Sequence, residues 1–296
     1  MTLPPEHRRR FRRLERLKEL MIARTLRFNK LDFGSVRPLV SIVGDHISDR
    51  IRVEGIYERE LLELLRDCIL SRADCRQKVA IDVGANIGNH TLFFSDLFAQ
   101  VVAIEPNPLT RRMLQLNLEM NGVENVEVQT VALSDHVGRA SLAFNKRNLG
   151  AASTNGGDPE LNETTEVELA TGDDVVSSFE PIALIKIDVE GGEEAVLKGL
   201  EKTIKSNRPI LMIEQLEDAI DEESGSSPSF AFLTGLGYTA IDIGLPRSKK
   251  TRLREIVSLL LGRTTYDLRP VKRLEKRNYS ALVFLPVHNS APLAHG

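Results

Sequence analysis

The run Val79-Ala80-Ile81-Asp82-Val83 ends in a glycine-bearing turn and passes at once into a helical pattern, HTLFFSDLF. The chain then repeats that arrangement. Val101–Glu105 is a second apolar run, ended by Pro106 and followed by a helical stretch to about Met120. Asn125–Val131, Leu184–Asp188, Pro209–Glu214 and Tyr238–Ile243 continue the series, with helical patterns over 193–204 and about 229–235, and Tyr279–Leu285 closes it. A parallel crossover needs a helix, and each strand then buries both of its sides, so such alternation predicts a parallel sheet covered on both faces. The expected fold class is α/β, doubly wound and mostly parallel.

Other stretches are less regular. Arg139–Phe144 and Glu166–Ala170 read as short strands bracketing NLGAASTNGGDPELNE, whose Gly, Ser, Asn and Asp content predicts a mobile loop. Residues 58–70 form an amphipathic helix, and 6–28 a basic one with Phe11, Leu14, Leu17 and Met21 on one stripe. Charge is distributed in blocks. Residues 1–30 carry ten bases and three acids, a net +7, and 247–277 carry eleven and three, a net +8. The remaining residues, 31–246 and 278–296, come to −18. An acidic body with basic flanks suggests flanks that meet an anionic surface or fold back onto the body. Nucleic acid is not expected as a partner, because few aromatics interleave the Arg clusters and the body repels phosphates.

Chemistry concentrates at strand ends. Ile81-Asp82-Val83-Gly84-Ala85-Asn86-Ile87-Gly88 lies where the first strand meets its helix, and glycines there let the backbone approach a ligand. The spacing is not the dinucleotide G-x-G-x-x-G and suits a smaller ligand with an amino-acid carboxylate. Glu105 lies 23 positions after Asp82, at the end of the second run, where an acid accepts both hydrogen bonds of a ribose diol. Cys68 and Cys75 alone make neither a zinc set nor a disulfide scaffold. No metal is expected, and the alternative is oxygen ligation of a hard cation by Asp188, Glu190 and Glu214.

The motifs VAIDVGANIGN (79–89), AIEPN (103–107), ALSD (132–135), IKIDVEG (185–191) and LMIE (211–214) occur in this order. Together they resemble the FkbM-type methyltransferases, and the similarity covers roughly 53–215, including GIYERELL before the first strand. The resemblance implies the class I methyltransferase fold: seven strands, Rossmann-like, with the last strand antiparallel. It implies S-adenosylmethionine as cofactor and a hydroxyl of a sugar, glycan or glycosylated metabolite as acceptor. The chain departs at Thr171-Gly172-Asp173 and Gly192, where the family tends to have Thr-Leu-Asp and Ala, and neither change removes an acid.

On that basis Asp82, Gly84, Asn86, Gly88, Glu105, Asn107, Ser134 and Asp135 are the expected cofactor residues. Asp82 either contacts the cofactor or orders the turn. Ala132, Ser134 and Asp135 form a loop that contacts the adenine amine or makes an ordinary turn. Asp188 and Glu190 are the candidates to orient or deprotonate the acceptor, with Lys186 and His90 behind them. The alternative is a structural Lys186–Asp188 pair with Glu190 capping the helix at 193, and His90 covering the pocket. Loops 145–163 and 215–229 are expected to shape the acceptor site. Asp-Val-Glu-Gly at 188–191 argues against amino-group methylation, and the intact acids argue against a non-catalytic scaffold; N- or carboxyl-methylation is the alternative reaction. The expected organisation is a basic helical extension over 1–50 and a methyltransferase domain over 51–296. That domain has its core at 79–215, a basic insertion at 247–277 and a last strand at 279–286. The N-terminus shows no apolar signal region, so a cytoplasmic protein is expected, with peripheral contact at the inner membrane face through its basic flanks.

Overall fold

The computed structural model describes residues 37–41, 48, 50, 51, 55–72, 74–145, 148–153, 163–243 and 268–287. Readings that fall elsewhere, including the helices at 6–28 and 253–261, lie outside the described residues. The described strands are β1 (Val79–Val83), β2 (Gln100–Ile104), β3 (Val126–Gln129), β4 (Ala132–Ser134), β5 (Gly138–Asn145), β6 (Asn148–Ser153), β7 (Glu163–Thr171), β8 (Ile182–Ile187), β9 (Ile210–Gln215), β10 (Tyr238–Asp242), β11 (Arg269–Val271) and β12 (Tyr279–Pro286). The helices are α1 (Arg59–Leu64), α2 (Asn89–Ser95), α3 (Pro108–Met120), α4 (Gly172–Val175), α5 (Glu193–Gly199), α6 (Glu201–Asn207) and α7 (Pro228–Gly235).

The main sheet runs β11-β10-β12-β9-β8-β1-β2-β3. Strands β3, β2, β1, β8 and β9 pair in parallel, and β12 is antiparallel to both β9 and β10. The seven expected strands are therefore joined by an eighth, β11, at the edge beside β10. That edge strand comes from the end of the basic 247–277 segment, which is thus partly a piece of the sheet. Its neighbours Arg273, Lys276 and Arg277 are spent on the body: Arg273 donates to the carbonyls of Glu222 and Glu223, Lys276 to that of Ile220, and Arg277 pairs with Asp242. For these residues folding back has been chosen over a free basic face.

Period-two alternation fills both faces. Ile81, Val83, Ile185 and Ile187 pack against Leu197, Leu200 and Ile204 of α5 and α6 and Phe230 and Leu233 of α7. Ala80, Leu184 and Met212 face the other way, onto Leu62 and Leu65 at α1 and Phe94 of α2. Burying such a side chain contributes roughly 1.5–3 kcal/mol each, so these central strands are anchored from both sides and their C-terminal ends are held in fixed relation. No helix among the described residues is long and apolar enough to cross a membrane.

A second sheet, β4-β7-β5-β6, stands beside this layer. It corrects part of the loop expected over 145–163: Asn148–Ser153 pairs antiparallel with β5, and 154–162 lie outside the described residues. A stretch rich in Gly, Ala and Asn has little strand preference of its own, and its partner supplies the ladder. The helix expected over 193–204 is also interrupted, at Leu200. A Cβ on Gly199 would lie 2.0 Å from the Ser134 carbonyl oxygen, so α5 runs against β4 and the chain re-aims before α6.

Candidate active site

At the end of β1, Asp82 is fully buried. Its Oδ2 accepts from the Thr91 hydroxyl at 2.6 Å, and its Oδ1 lies 3.2 Å from Lys186 Nζ. Asp82 therefore ties the turn to α2 and β8, the turn-ordering alternative. Gly84 has φ +74, and a Cβ there would sit 1.8 Å from the carbonyl oxygen of Asp188; one on Gly88, φ +90, would sit 2.4 Å from Leu114 Cδ1. The close approach that these glycines permit is thus to β8 and α3, where a ligand had been expected. Asn86 takes φ +51 without a glycine's freedom, a conformation that costs about 1 kcal/mol or more and concentrates at functional sites.

Glu105 follows β2 and is 6% exposed. Its Oε2 accepts from the Asn86 backbone N–H at 2.8 Å and its Oε1 from that of Asn107 at 2.9 Å. Burial raises its pKa, opposed by those backbone donors and by the Thr110 hydroxyl. Asn107 caps α3, accepting from Leu109 N at 3.0 Å. The two turns of the β1 and β2 ends are in this way clamped by one carboxylate, whose remaining lone pairs face a cavity.

That cavity is partly open to solvent and has a volume of about 140 Å³. Gly84, Asn86, Glu105, Val131, Ala132, Leu133 and Leu142 line one side; Tyr57, Asp188, Val189, Glu190, Gly192 and Glu214 line the other. The four charged residues of this described lining are all acids. Asp188, Glu190 and Glu214 each bring a carboxylate oxygen within 4.8 Å of the others. A proton or a hard cation could bridge oxygens at that spacing. Lys186, 3% exposed, lies behind them. Its ammonium is 3.2 Å from Asp82 and 3.3 Å from Asp188, and it donates to the Gly84 carbonyl at 3.1 Å.

The ionisation of this cluster follows its surroundings. Burial works against a charge on Asp188, but Lys186 and a hydrogen bond from Glu214 outweigh it and hold its pKa low. Burial would also depress the Lys186 ammonium, yet Asp82 and Asp188 keep it firmly charged. Glu190 is pushed up to about 7 by burial and by the charges of Asp188 and Glu193. Burial and Asp188 push Glu214 up to about 10. The Tyr57 phenol is raised by burial and by Glu58, Asp188 and Glu214, so it stays a neutral donor.

Glu190 also has a positive φ, +54, in the turn after β8. The residue that secures this turn is Glu193, whose Oε1 accepts from Gly191 N at 3.0 Å and Val189 N at 3.4 Å. Glu193 thus braces the turn before α5, and no side-chain hydrogen bond caps that helix, so the capping alternative for Glu190 is not formed.

His90, 7% exposed, pairs with Glu58 at 3.2 Å and stacks edge-on with Tyr57; it does not line the cavity. Ser134 and Asp135 do not line it either. Asp135 is exposed and bound to His136 at 2.7 Å, whereas the preceding Ala132 and Leu133 supply the wall. Residues that the sequence reading left out include Asn89, whose amide clamps the Tyr57 backbone N–H and C=O at 2.9 and 3.0 Å. Glu214 is expected from the sequence only as an alternative oxygen ligand beside Asp188 and Glu190, and the structure does bring these three acids together.

The family described as the methyltransferase FkbM domain matches residues 82–239, just over half of the chain. The hexuronic acid methyltransferase AglP of Haloferax volcanii is 29% identical over 194 residues, 62% of this chain and 78% of that protein. Methyltransferase 1 of Beauveria bassiana is 28% identical over 143 residues, 41% of this chain and 57% of that one. The crystal structure of an FkbM methyltransferase from Methylobacillus flagellatus superposes with a TM-score of 0.42 at 18% identity, covering 74% of this chain and 46% of the other. The chain thus spans little more than half of one of these relatives and less than half of another.

Proposed function

The chain belongs to the FkbM methyltransferase family, and from that premise we propose that it moves a methyl group from S-adenosylmethionine to a hydroxyl of a sugar-bearing acceptor. The observation that carries this reading is one cavity with the clamped Glu105 on one side and the acids of β8 and β9 on the other. Glu105 offers the lone pairs a ribose diol needs, held rigidly by Asn86 and Asn107. Gly84 and Asn86 shape the floor, and Ala132, Leu133 and Leu142 offer an apolar wall for a base. These residues fit the cofactor, which when bound supplies an electrophilic sulfonium methyl.

The acceptor side belongs to Asp188 and Glu190. Asp188 stays ionised beside Lys186 and accepts the hydrogen bond of the acceptor hydroxyl, fixing its approach. Glu190, titrating near 7, is matched to take the proton that the hydroxyl gives up. Tyr57 remains a neutral hydroxyl facing the same acids. The hexuronic acid methyltransferase among the relatives supports a sugar acceptor. In this reading 51–296 is the methyltransferase domain, 1–50 is an extension that meets an anionic surface such as a membrane face, and the protein works in the cytoplasm.

Calorimetry with S-adenosylmethionine and S-adenosylhomocysteine tests the cofactor half. Wild type should bind both, and Glu105→Ala should weaken binding by about tenfold or more, since a lost hydrogen bond to a charged group costs roughly 1.5–3 kcal/mol. No binding to wild type ends the reading. Transfer of labelled methyl to cell-extract glycans then tests the acceptor class, with Asp188→Asn and Glu190→Gln as the variants; full activity in both would remove them from the reaction.

A further inference from the structure

We infer that Glu214 is a protonated carboxylic acid that donates a hydrogen bond to the ionised Asp188, and so acts as the positioning residue for the acceptor-side carboxylate. The positioning role rests on the methyl-transfer reading above; the protonation does not.

Strand register brings the pair together. Ile187 of β8 pairs with Ile213 of β9, so the next residues, Asp188 just past β8 and Glu214 within β9, lie side by side. With Glu190 they bring three carboxylate oxygens within 4.8 Å of one another. Like charges this close in a partly buried site cannot all ionise, and one group keeps a proton.

The neighbours decide which one. Lys186 lies 3.3 Å from Asp188, and that contact favours its charge. Glu214 meets no such cation among the described residues. The turn after β8 and the start of α5 present it with Glu190 and Glu193, and the segment before α1 presents the neutral Tyr57. On the β12 side, between the paired positions Tyr279–Gln215 and Leu282–Ile213, lie Ser280 and Ala281, neither charged. Glu214 Oε2 is buried, and no donor among the described residues reaches it. An ionised Glu214 would have nothing to stabilise it, whereas a protonated one finds its acceptor in Asp188. The rise of its pKa to about 10 agrees with that geometry. One proton thus lowers the charge of the cluster and gives Asp188 a second partner besides Lys186.

Infrared spectroscopy of the full chain at pH 8 tests this without acceptor or cofactor, because ordinary carboxylates are ionised there. Wild type should show the C=O stretch of a protonated carboxyl. The wild-type-minus-Glu214→Gln difference should show that stretch as a positive band while the carboxylate bands cancel, and Glu190→Gln should retain the stretch. Asp188→Asn should shift or abolish the stretch, since it removes both the acceptor and the repelling charge. Loss of a carboxylate band in Glu214→Gln would overturn the protonation, and an unaltered stretch in Asp188→Asn would overturn the pairing. Loss of the stretch on adding magnesium alone would assign the bridging place to a cation and overturn the proposal as well. Any other buried acid is common to all these proteins and cancels in the differences. The methyl-transfer reading is judged separately, by S-adenosylhomocysteine calorimetry, so the two can fail independently.

Discussion

Two acids end neighbouring regions of one sheet in opposite surroundings. Glu105, after β2, has each carboxylate oxygen held by a backbone N–H, from Asn86 and Asn107. Glu214, at the end of β9, has a buried oxygen that no described donor reaches. The β1–β2 region completes itself from nearby backbone, which cannot titrate and changes little with conditions. The β8–β9 region balances its acids with one lysine and with protons. The first is therefore a rigid cradle, while the second has charge states that shift with pH and with whatever enters the cavity.

Lys186 is the seam between the regions, and removing it should have the largest effect. In Lys186→Met both Asp82 and Asp188 lose their cation, and breaking such a buried pair costs about 3–5 kcal/mol. The expected result is a clearly lowered midpoint of denaturant unfolding; a midpoint within experimental error of wild type would mean that the two regions are not tied there.

A smaller effect isolates the titrating region. Glu190 has a folded-state pKa of about 7, above its ordinary value of 4.5. Between those values the unfolded chain releases a proton that the folded one keeps, so stability falls as pH rises through this window and stays reduced above it. Glu190→Gln should raise the melting temperature at pH 8 by roughly 2 °C, equivalent to about 1 kcal/mol, and leave it unchanged at pH 4. An equal gain at both values would mean that the substitution acts through packing. The smallest effect is expected outside both regions: deleting residues 1–30 should leave S-adenosylhomocysteine affinity unchanged by calorimetry, and a large loss would place part of the cradle in the N-terminus.

The cradle was the more legible region because its signals are local. The bounds of β1 match the apolar run, and Glu105 follows from strand, proline and helix in immediate succession. The β8–β9 region depends on which strands become neighbours, and a run of apolar residues does not state its partners. Asp188 and Glu190 stood out as acids in an apolar run, and Glu214 as a third oxygen donor, but the contact of Glu214 with Asp188 follows only from β9 lying beside β8. Of the three residues read as the adenine loop, Ala132 lines the cavity, whereas Ser134 and Asp135 do not. The chain turns into a second sheet there, so the wall is made by Ala132 and Leu133. Strand β6 owes its existence to pairing with β5 and left no propensity signal.

The contact between Gly84 and the Asp188 carbonyl sets a tolerance. Asp188 N donates to the Val83 carbonyl at 3.1 Å, and Lys186 reaches back to Gly84. The Gly84 floor of the cradle and the root of Asp188, the acid proposed for the acceptor side, are therefore adjacent rungs of one ladder, separated by the fixed spacing of paired strands, roughly 4.8 Å. Neither can drift without dragging the other. For a transfer that depends on collinear alignment, such a frame leaves little play between donor and recipient, and the error is set by backbone pitch more than by the reach of any side chain.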